Sequence, residues 1–319
     1  MLLAVVLYGG FAVWRGVGKM GDELGRFAPW AFVAACALAF GNYLVRWARW
    51  ELYLARLGIR GVSRVDSLLT FLSGFVLTVT PGKVGEVFKS VVLQQTHGVP
   101  VEVSAPIVVA ERVTDVIGIV VLIAFGSLGF AGGLLWAGLG TAAVVVLLVV
   151  VSNRRLSLAM IGFVERLPGA LGRIGPKLYA AYESLAILVR PSNLVLPTLL
   201  AVLAWAMECA ALWVILKGFS QPIGFGLATF FYATSTLAGA LVPVPGGLGV
   251  TETSLQSQLQ ELGHVSPTAS TASMILVRFA TLWFAVLVGF VALSALKRRY
   301  AGLLAAPAPQ PESPAAEAP

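Results

Sequence analysis

Thr80-Pro81-Gly82-Lys83-Val84-Gly85 and Val244-Pro245-Gly246-Gly247-Leu248-Gly249 are two copies of one break, and each closes an apolar stretch, 65–80 in the first case and 225–244 in the second. A Pro-Gly step ends a helix because proline lacks an amide hydrogen and its ring clashes with the preceding turn, while glycine accepts backbone angles closed to other residues. Inside an apolar segment such a break bares polar backbone that only protein or a wet cavity can satisfy. The likeness extends outward from the breaks. Gly98 and Pro100 find counterparts in Gly263 and Pro267, Arg112 in Arg278, and Thr70-Phe71 in Thr229-Phe230. Each unit therefore reads as a span, a stretch broken at Pro-Gly, and a second span that carries an arginine.

The rest of the chain places these units in a membrane. Apolar residues make up 58% of the sequence and charged residues only 12%, about half the charged share of an ordinary soluble domain. Several apolar runs reach the roughly 20 residues that a helix needs to cross the hydrocarbon core. Crossings are expected at 1–14, 29–54, 104–130, 133–151, 193–216 and 270–296. The first is short, about 21 Å at about 1.5 Å per residue, and is expected to be an anchor rather than a cleaved signal, because it lacks a leading positive charge. Cys36 and Cys209 both fall in apolar runs, where a thiol is a small packing residue. The formal charge of +7 gathers at the ends of runs, so it points to helix orientation and not to nucleic acid.

Lysine and arginine in the short loops set that orientation. The connection 153–192 holds Arg154, Arg155, Arg166, Arg173, Lys177 and Arg190, and Lys297, Arg298 and Arg299 follow the last span. Arg46, Arg49, Arg56, Arg60 and Arg64 form a third cluster, in which Arg46-Trp47 and Arg49-Trp50 read as headgroup anchors. All three clusters lie in the cytoplasm if six segments cross, both termini are cytoplasmic, and 65–80 and 225–244 enter, break and return on one side. The expected fold is thus an all-α polytopic membrane protein with about six full transmembrane helices and two re-entrant broken-helix hairpins. It forms one domain over 1–300, with inverted repeats at about 29–130 and 193–296, and a disordered Ala/Pro/Glu-rich tail at 301–319. Gly/Pro-interrupted segments at matching positions of two halves point to a transporter site near the membrane midplane.

Charge inside spans is costly, roughly 2.5–3.5 kcal/mol per residue on insertion scales, and so marks candidate chemistry. Lys83, Glu86 and Lys89 follow the first break, while Glu111, Arg112 and Asp115 open the next span. Glu252 follows the second break, and Glu208 and Arg278 lie in its flanking spans. The three- and four-residue spacings put Lys83, Glu86 and Lys89 on one face, and Glu111 and Asp115 on another, so the two faces can meet as ion pairs. Gly82, Gly85, Gly246, Gly247 and Gly249 leave backbone amides at two half-helix N-termini free to receive a phosphate or carboxylate. His97 and His264 make no metal constellation, and no nucleophile–base set, phosphate loop or dinucleotide fingerprint occurs, so neither metal nor cofactor is expected and the chain does not read as an enzyme.

Pro81-Gly82-Lys83-x-Gly85-Glu86-x-x-Lys89, Glu111-Arg112-x-x-Asp115 and Pro245-Gly246-Gly247-x-Gly249-x-x-Glu252 together resemble the lysylphosphatidylglycerol synthase transmembrane family, the flippase-like domain proteins, over roughly residues 1 to 300. In long members of that family the membrane domain is similar to a lipid flippase and is fused to an aminoacyl-transferase domain, which has no counterpart in this sequence. The resemblance implies a flippase or scramblase of the cytoplasmic membrane acting on an anionic, aminoacylated or polyprenyl-linked lipid. Lys83, Lys89, Arg112 and Arg278 are then expected to hold phosphate, and Glu86, Glu111, Asp115 and Glu252 to pair with them, select cationic headgroup parts or take up a proton. Two rival readings are a membrane-embedded transferase built on Glu111 and Asp115, and a scaffold subunit for a separately encoded synthase or glycosyltransferase. A second copy of the chain is a further candidate partner.

Overall fold

The computed structural model describes residues 24–80, 85–128, 135, 138, 142, 175–242 and 244–304. Among them the order is α1 (Pro29–Arg56), α2 (Arg64–Ser73, extended by a 3-10 turn Gly74–Leu77), α3 (Phe88–His97), α4 (Val101–Ser104) and α5 (Pro106–Ser127). There follow α6 (Gly175–Leu188), α7 (Pro191–Gly218), α8 (Phe225–Leu241), α9 (Val250–Glu261), α10 (Pro267–Arg278) and α11 (Phe284–Arg299), with a π turn, Phe279–Trp283, fusing the last two. No strand occurs among the described residues. Proline starts α1, α5, α7 and α10, where its missing amide hydrogen is an orphan in any helix and its fixed φ favours the first turn.

Among the described residues three helices are long and apolar enough to cross a membrane: α1, α7 and the continuous α10–α11. Val33, Leu199, Leu287 and Val291 face outward on them, the arrangement expected of side chains solvated by lipid. These helices match the expected crossings at 29–54, 193–216 and 270–296. The fourth, α5, has 22 residues but carries Glu111, Arg112 and Asp115 in its first half. The expected crossings at 1–14 and 133–151 lie outside the described residues, apart from positions 135, 138 and 142. So do most of the 153–192 connection, from which α6 emerges, and the tail beyond residue 304.

Packing follows the repeat. The largest interface joins α1 to α7. Ala31, Ala35 and Ala39 make a buried small-residue stripe along α1, Ala204 and Ala211 are buried on α7, and the Asn42 amide donates to the Ala204 carbonyl at 2.7 Å. Small residues let two backbones approach closely, which supplies dispersion contact where water gives no driving force. Each second span then packs against the first broken arm of the other half: α5 against α8, and α11 against α2. Glycine permits both contacts. A Cβ on Gly126 would lie 2.7 Å from the Gly226 carbonyl oxygen, and one on Gly289 would lie 2.7 Å from the Val76 nitrogen.

Candidate functional site in the seam between the halves

One face of α1 carries Asn42, Arg46, Arg49 and Tyr53, spaced by four, three and four residues, and all four are buried. Arg49 is fully buried and donates through Nη1 to Asp115 Oδ1 at 2.7 Å and to Thr114 Oγ1 at 3.0 Å. Arg112 bridges Asp115 and Glu86, each at 3.0 Å. Arg46 lies 3.7 Å from Glu86, with its guanidinium carbon 5.4 Å from the Phe75 ring centre. Its Nε and Nη2 have no hydrogen-bond acceptor among the described residues. Behind this layer Lys89 donates to Glu111 at 2.5 Å and sits 4.6 Å from the Trp50 ring centre and 5.2 Å from that of Phe71.

The other half repeats one element of this network. Arg278 Nε donates to Glu252 Oε1 at 2.6 Å, and Arg112 Nη2 donates to Glu86 Oε2 at 3.0 Å; both pairs are 26 residues apart in sequence. Around Arg278–Glu252, however, the neighbours are neutral. Gln258 accepts from Thr234 at 2.8 Å and donates to Ser235 and Ser254, both at 3.0 Å, while Gln256 donates to Thr271 at 2.6 Å. Glu208 on α7 accepts from the Tyr232 hydroxyl at 2.7 Å and has no cation within ion-pair distance among the described residues.

Between the halves lies a cavity of about 170 Å³. Its walls include Arg46, Arg112, Asp115, Glu208, Tyr232 and Arg278, and both breaks reach it through Thr80, Gly246 and Gly247. Intramembrane charges gathered at one cavity have the placement that function requires, since nothing in lipid alone would keep them there.

Several expectations are corrected by this geometry. Arg46, Arg49 and Trp50 do not anchor α1 in headgroups; they are buried, because their face of the helix points at carboxylates on neighbouring helices. Lys89 and Glu111 do not border the cavity, and their charges are spent on each other inside an aromatic cage. The two faces do meet, through Lys89 and Glu111, but Asp115 reaches the other face only by way of Arg112, which bridges it to Glu86, and it pairs also with Arg49. The Gly85 and Gly249 amides are not open to a ligand in the manner expected. The Gly249 amide donates to Glu252 Oε2 at 2.7 Å, the Gly85 amide donates to Thr80 Oγ1 at 2.8 Å, and Arg278 donates to the Gly246 carbonyl at 2.9 Å. The polypeptide itself caps these half-helices. Gly246, Gly247 and Gly249 do have positive φ, at 62°, 68° and 86°, which explains glycine at the second break after Pro245. Pro81, Gly82 and Lys83 lie outside the described residues.

The structure brings together Glu86, Arg112 and Asp115, as well as Glu252 and Arg278, it puts the in-span charge of Glu208 on the cavity wall, and it adds two residues that the expected site lacked, Arg46 and Arg49. The signal for the two arginines was present in the sequence, since Asn42, Arg46, Arg49 and Tyr53 share a helical face within an apolar span.

An all-helical chain with several membrane-crossing helices and a charged cavity between two broken helix pairs defines a multi-pass membrane protein. The chain belongs to the family described as the lysylphosphatidylglycerol synthase TM region, whose model matches residues 1–289. A UPF0104 membrane protein of Methanothermobacter thermautotrophicus is 23% identical, over 91% of this chain and 90% of that relative.

Proposed function

We propose that the protein moves a phospholipid or lipid-linked headgroup across the cytoplasmic membrane, with the headgroup in the seam cavity and the hydrocarbon chains left in the bilayer. The observation that carries this reading is the convergence of Arg46, Arg112 and Arg278, from both halves, on one cavity reached by both backbone breaks. Arginine suits a phosphate because its planar fork presents several donors at fixed angles. Lengths support re-entrant hairpins. At about 1.5 Å per residue, the arms that follow the breaks, α3 with 10 residues and α9 with 12, rise only about 15 and 18 Å, against roughly 30 Å of hydrocarbon. The exchange of partners, α5 with α8 and α11 with α2, supports inverted repeats. With the charge bias of the loops, both termini belong in the cytoplasm.

In this reading the two Arg–Glu pairs are gates. Each guanidinium is held by a carboxylate and can be drawn from it by a competing phosphate, with the aspartate or backbone carbonyl beside it keeping the side chain in place. The membrane-transferase alternative is weakened by the pairing of Glu111 with Lys89 and of Asp115 with arginines, which leaves these two carboxylates no shared metal site among the described residues.

The test is dithionite quenching of headgroup-labelled phospholipid in proteoliposomes. Protein-dependent loss of signal beyond the outer-leaflet half is expected, falling at least tenfold in Arg112→Ala and Arg278→Ala and partially in Glu86→Gln. No protein-dependent loss with anionic, aminoacylated or polyprenyl lipids would refute it.

A further inference from the structure

Among the described buried charges of the seam, four carboxylates have a cation within 3.0 Å: Glu86 with Arg112, Glu111 with Lys89, Asp115 with Arg49 and Arg112, and Glu252 with Arg278. When these close pairs are set aside, one cation and one carboxylate remain. They are Arg46 on α1 and Glu208 on α7, both on the cavity wall and on the two helices that share the largest interface. Among the described residues Arg46 keeps only its 3.7 Å approach to Glu86, with Nε and Nη2 lacking acceptors, and Glu208 keeps only the Tyr232 hydroxyl. Among the described residues the charges of the cluster therefore balance. An anion that enters and settles on Arg46 destroys the balance and leaves Glu208 as a surplus negative charge in a poorly solvated site, where interactions between charges are several times stronger than in water.

We propose that Glu208 takes up a proton when a phosphate-bearing anion binds at Arg46, so that anion and proton enter the seam together. The inference rests on the headgroup reading above and adds its energy coupling. The groups facing Glu208 support it. Tyr43 and Arg46 come from α1, Arg112 and Asp115 from α5, Tyr232 from α8 and Arg278 from α10, and every basic group among them except Arg46 already has its carboxylate. On α7 itself the neighbouring Cys209 is turned away toward the Thr229 carbonyl. Glu86, Glu111, Asp115 and Glu252 are poor carriers, because protonating Glu111, Asp115 or Glu252 strands Lys89, Arg49 or Arg278, and protonating Glu86 leaves Arg46, Arg49 and Arg112 to share Asp115. In Glu208 a proton adds to one carboxylate oxygen, while Tyr232 continues to donate to the other.

The chemistry shared by a lipid headgroup and a free phosphate ester is the monoanionic or dianionic phosphoryl group, and two probes separate the sources. Full-length protein in detergent is titrated with short-chain phosphatidylglycerol or with glycerol 3-phosphate in weakly buffered solution containing a pH indicator, and affinity is measured in mildly acidic and mildly alkaline buffer. The wild type is expected to absorb up to about one proton per bound lipid and to bind more weakly as pH rises. Glu208→Gln, which still accepts the Tyr232 hydrogen bond, is expected to absorb none and to bind the lipid roughly tenfold more tightly than the wild type in alkaline buffer, with affinity independent of pH. Tyr232→Phe removes a hydrogen bond to the charged carboxylate and moves the pH dependence upward. Binding without proton uptake, or uptake retained in Glu208→Gln, overturns the proton proposal and leaves the headgroup reading standing. Uptake driven by glycerol 3-phosphate alone overturns the headgroup reading and keeps Glu208 as the proton site. If neither probe binds, both fall.

Discussion

The two halves of the seam hold one skeleton and two chemistries. Each presents an Arg–Glu pair with the same sequence separation beside a backbone break, yet the first half surrounds its pair with Arg46, Arg49, Lys89, Glu111 and Asp115, whereas the second uses Gln256, Gln258, Ser235, Ser254 and Thr271. Neutral networks hold shape at modest cost, because a glutamine left without a partner loses far less than a stranded ion. Ion networks are expensive to bury and cannot lose a member cheaply. The second half thus supplies mostly framework, one Arg–Glu pair and the carboxylate of Glu208, and the first half most of the field that an incoming charge would meet.

The largest effect that could break this comparison is at Arg49. Arg49→Met leaves Asp115 with Arg112 alone in a fully buried site, and a loss of about 3–5 kcal/mol is expected, read as lowered thermal stability in detergent. If Arg49→Met melts like the wild type, the charged half is not the interdependent unit described here. Gln258→Leu tests the neutral half at its hub. Thr234 keeps its bond to the Phe230 carbonyl, so about 1–2 kcal/mol is expected, with gating by Arg278 unaffected in the quenching assay. A loss equal to that of Arg49→Met would erase the contrast.

The smallest effect sharpens the comparison at its edge, where exposed charge replaces buried charge. Asp66, at the start of α2, accepts from the Ser63 hydroxyl at 2.7 Å and pairs with Arg299 at 3.0 Å, a residue that is half exposed. Burial pushes its carboxyl up, but the hydrogen bonds from Ser63 and Tyr300 and the positive charge of Arg299 outweigh that and hold it below the ordinary carboxylate value. A depressed value means that the stabilisation is present above the ordinary carboxylate pKa, near 4, and is lost as pH falls below it. Asp66→Asn is expected to lower stability by at most about 1 kcal/mol at neutral pH. The gap to the wild type should close in acid; a gap that persists there would mean that Asp66 acts through shape rather than charge.

Membrane class, the long helices and the residues of the two Arg–Glu pairs were legible in the sequence, since each rests on a local property: run length, a starting proline, or a charge where charge is costly. The pairing was legible only in part. Matching Pro81 to Pro245 puts the breaks in register, but the gates align Glu86 with Glu252, because more residues separate Pro245 from Glu252 than Pro81 from Glu86. Arg46 and Arg49 looked like headgroup anchors because an Arg-Trp step near the end of an apolar run has that meaning when the run is considered alone. Glycine amides at the breaks looked free because the side chains that occupy them, Thr80 and Glu252, could as well have pointed elsewhere.

Composition and periodicity by themselves thus determined that this chain is a multi-pass helical membrane protein with two related broken segments, because hydrophobic run length and Pro-Gly chemistry act through neighbours in sequence. The tertiary structure alone decided which charges neutralise which, and so left Arg46 and Glu208, among the described seam charges, without a close ion-pair partner. Ion pairing depends on a few ångströms between side chains from different helices, and only the packing of α1 on α7 and of each second span on the opposite half sets those distances.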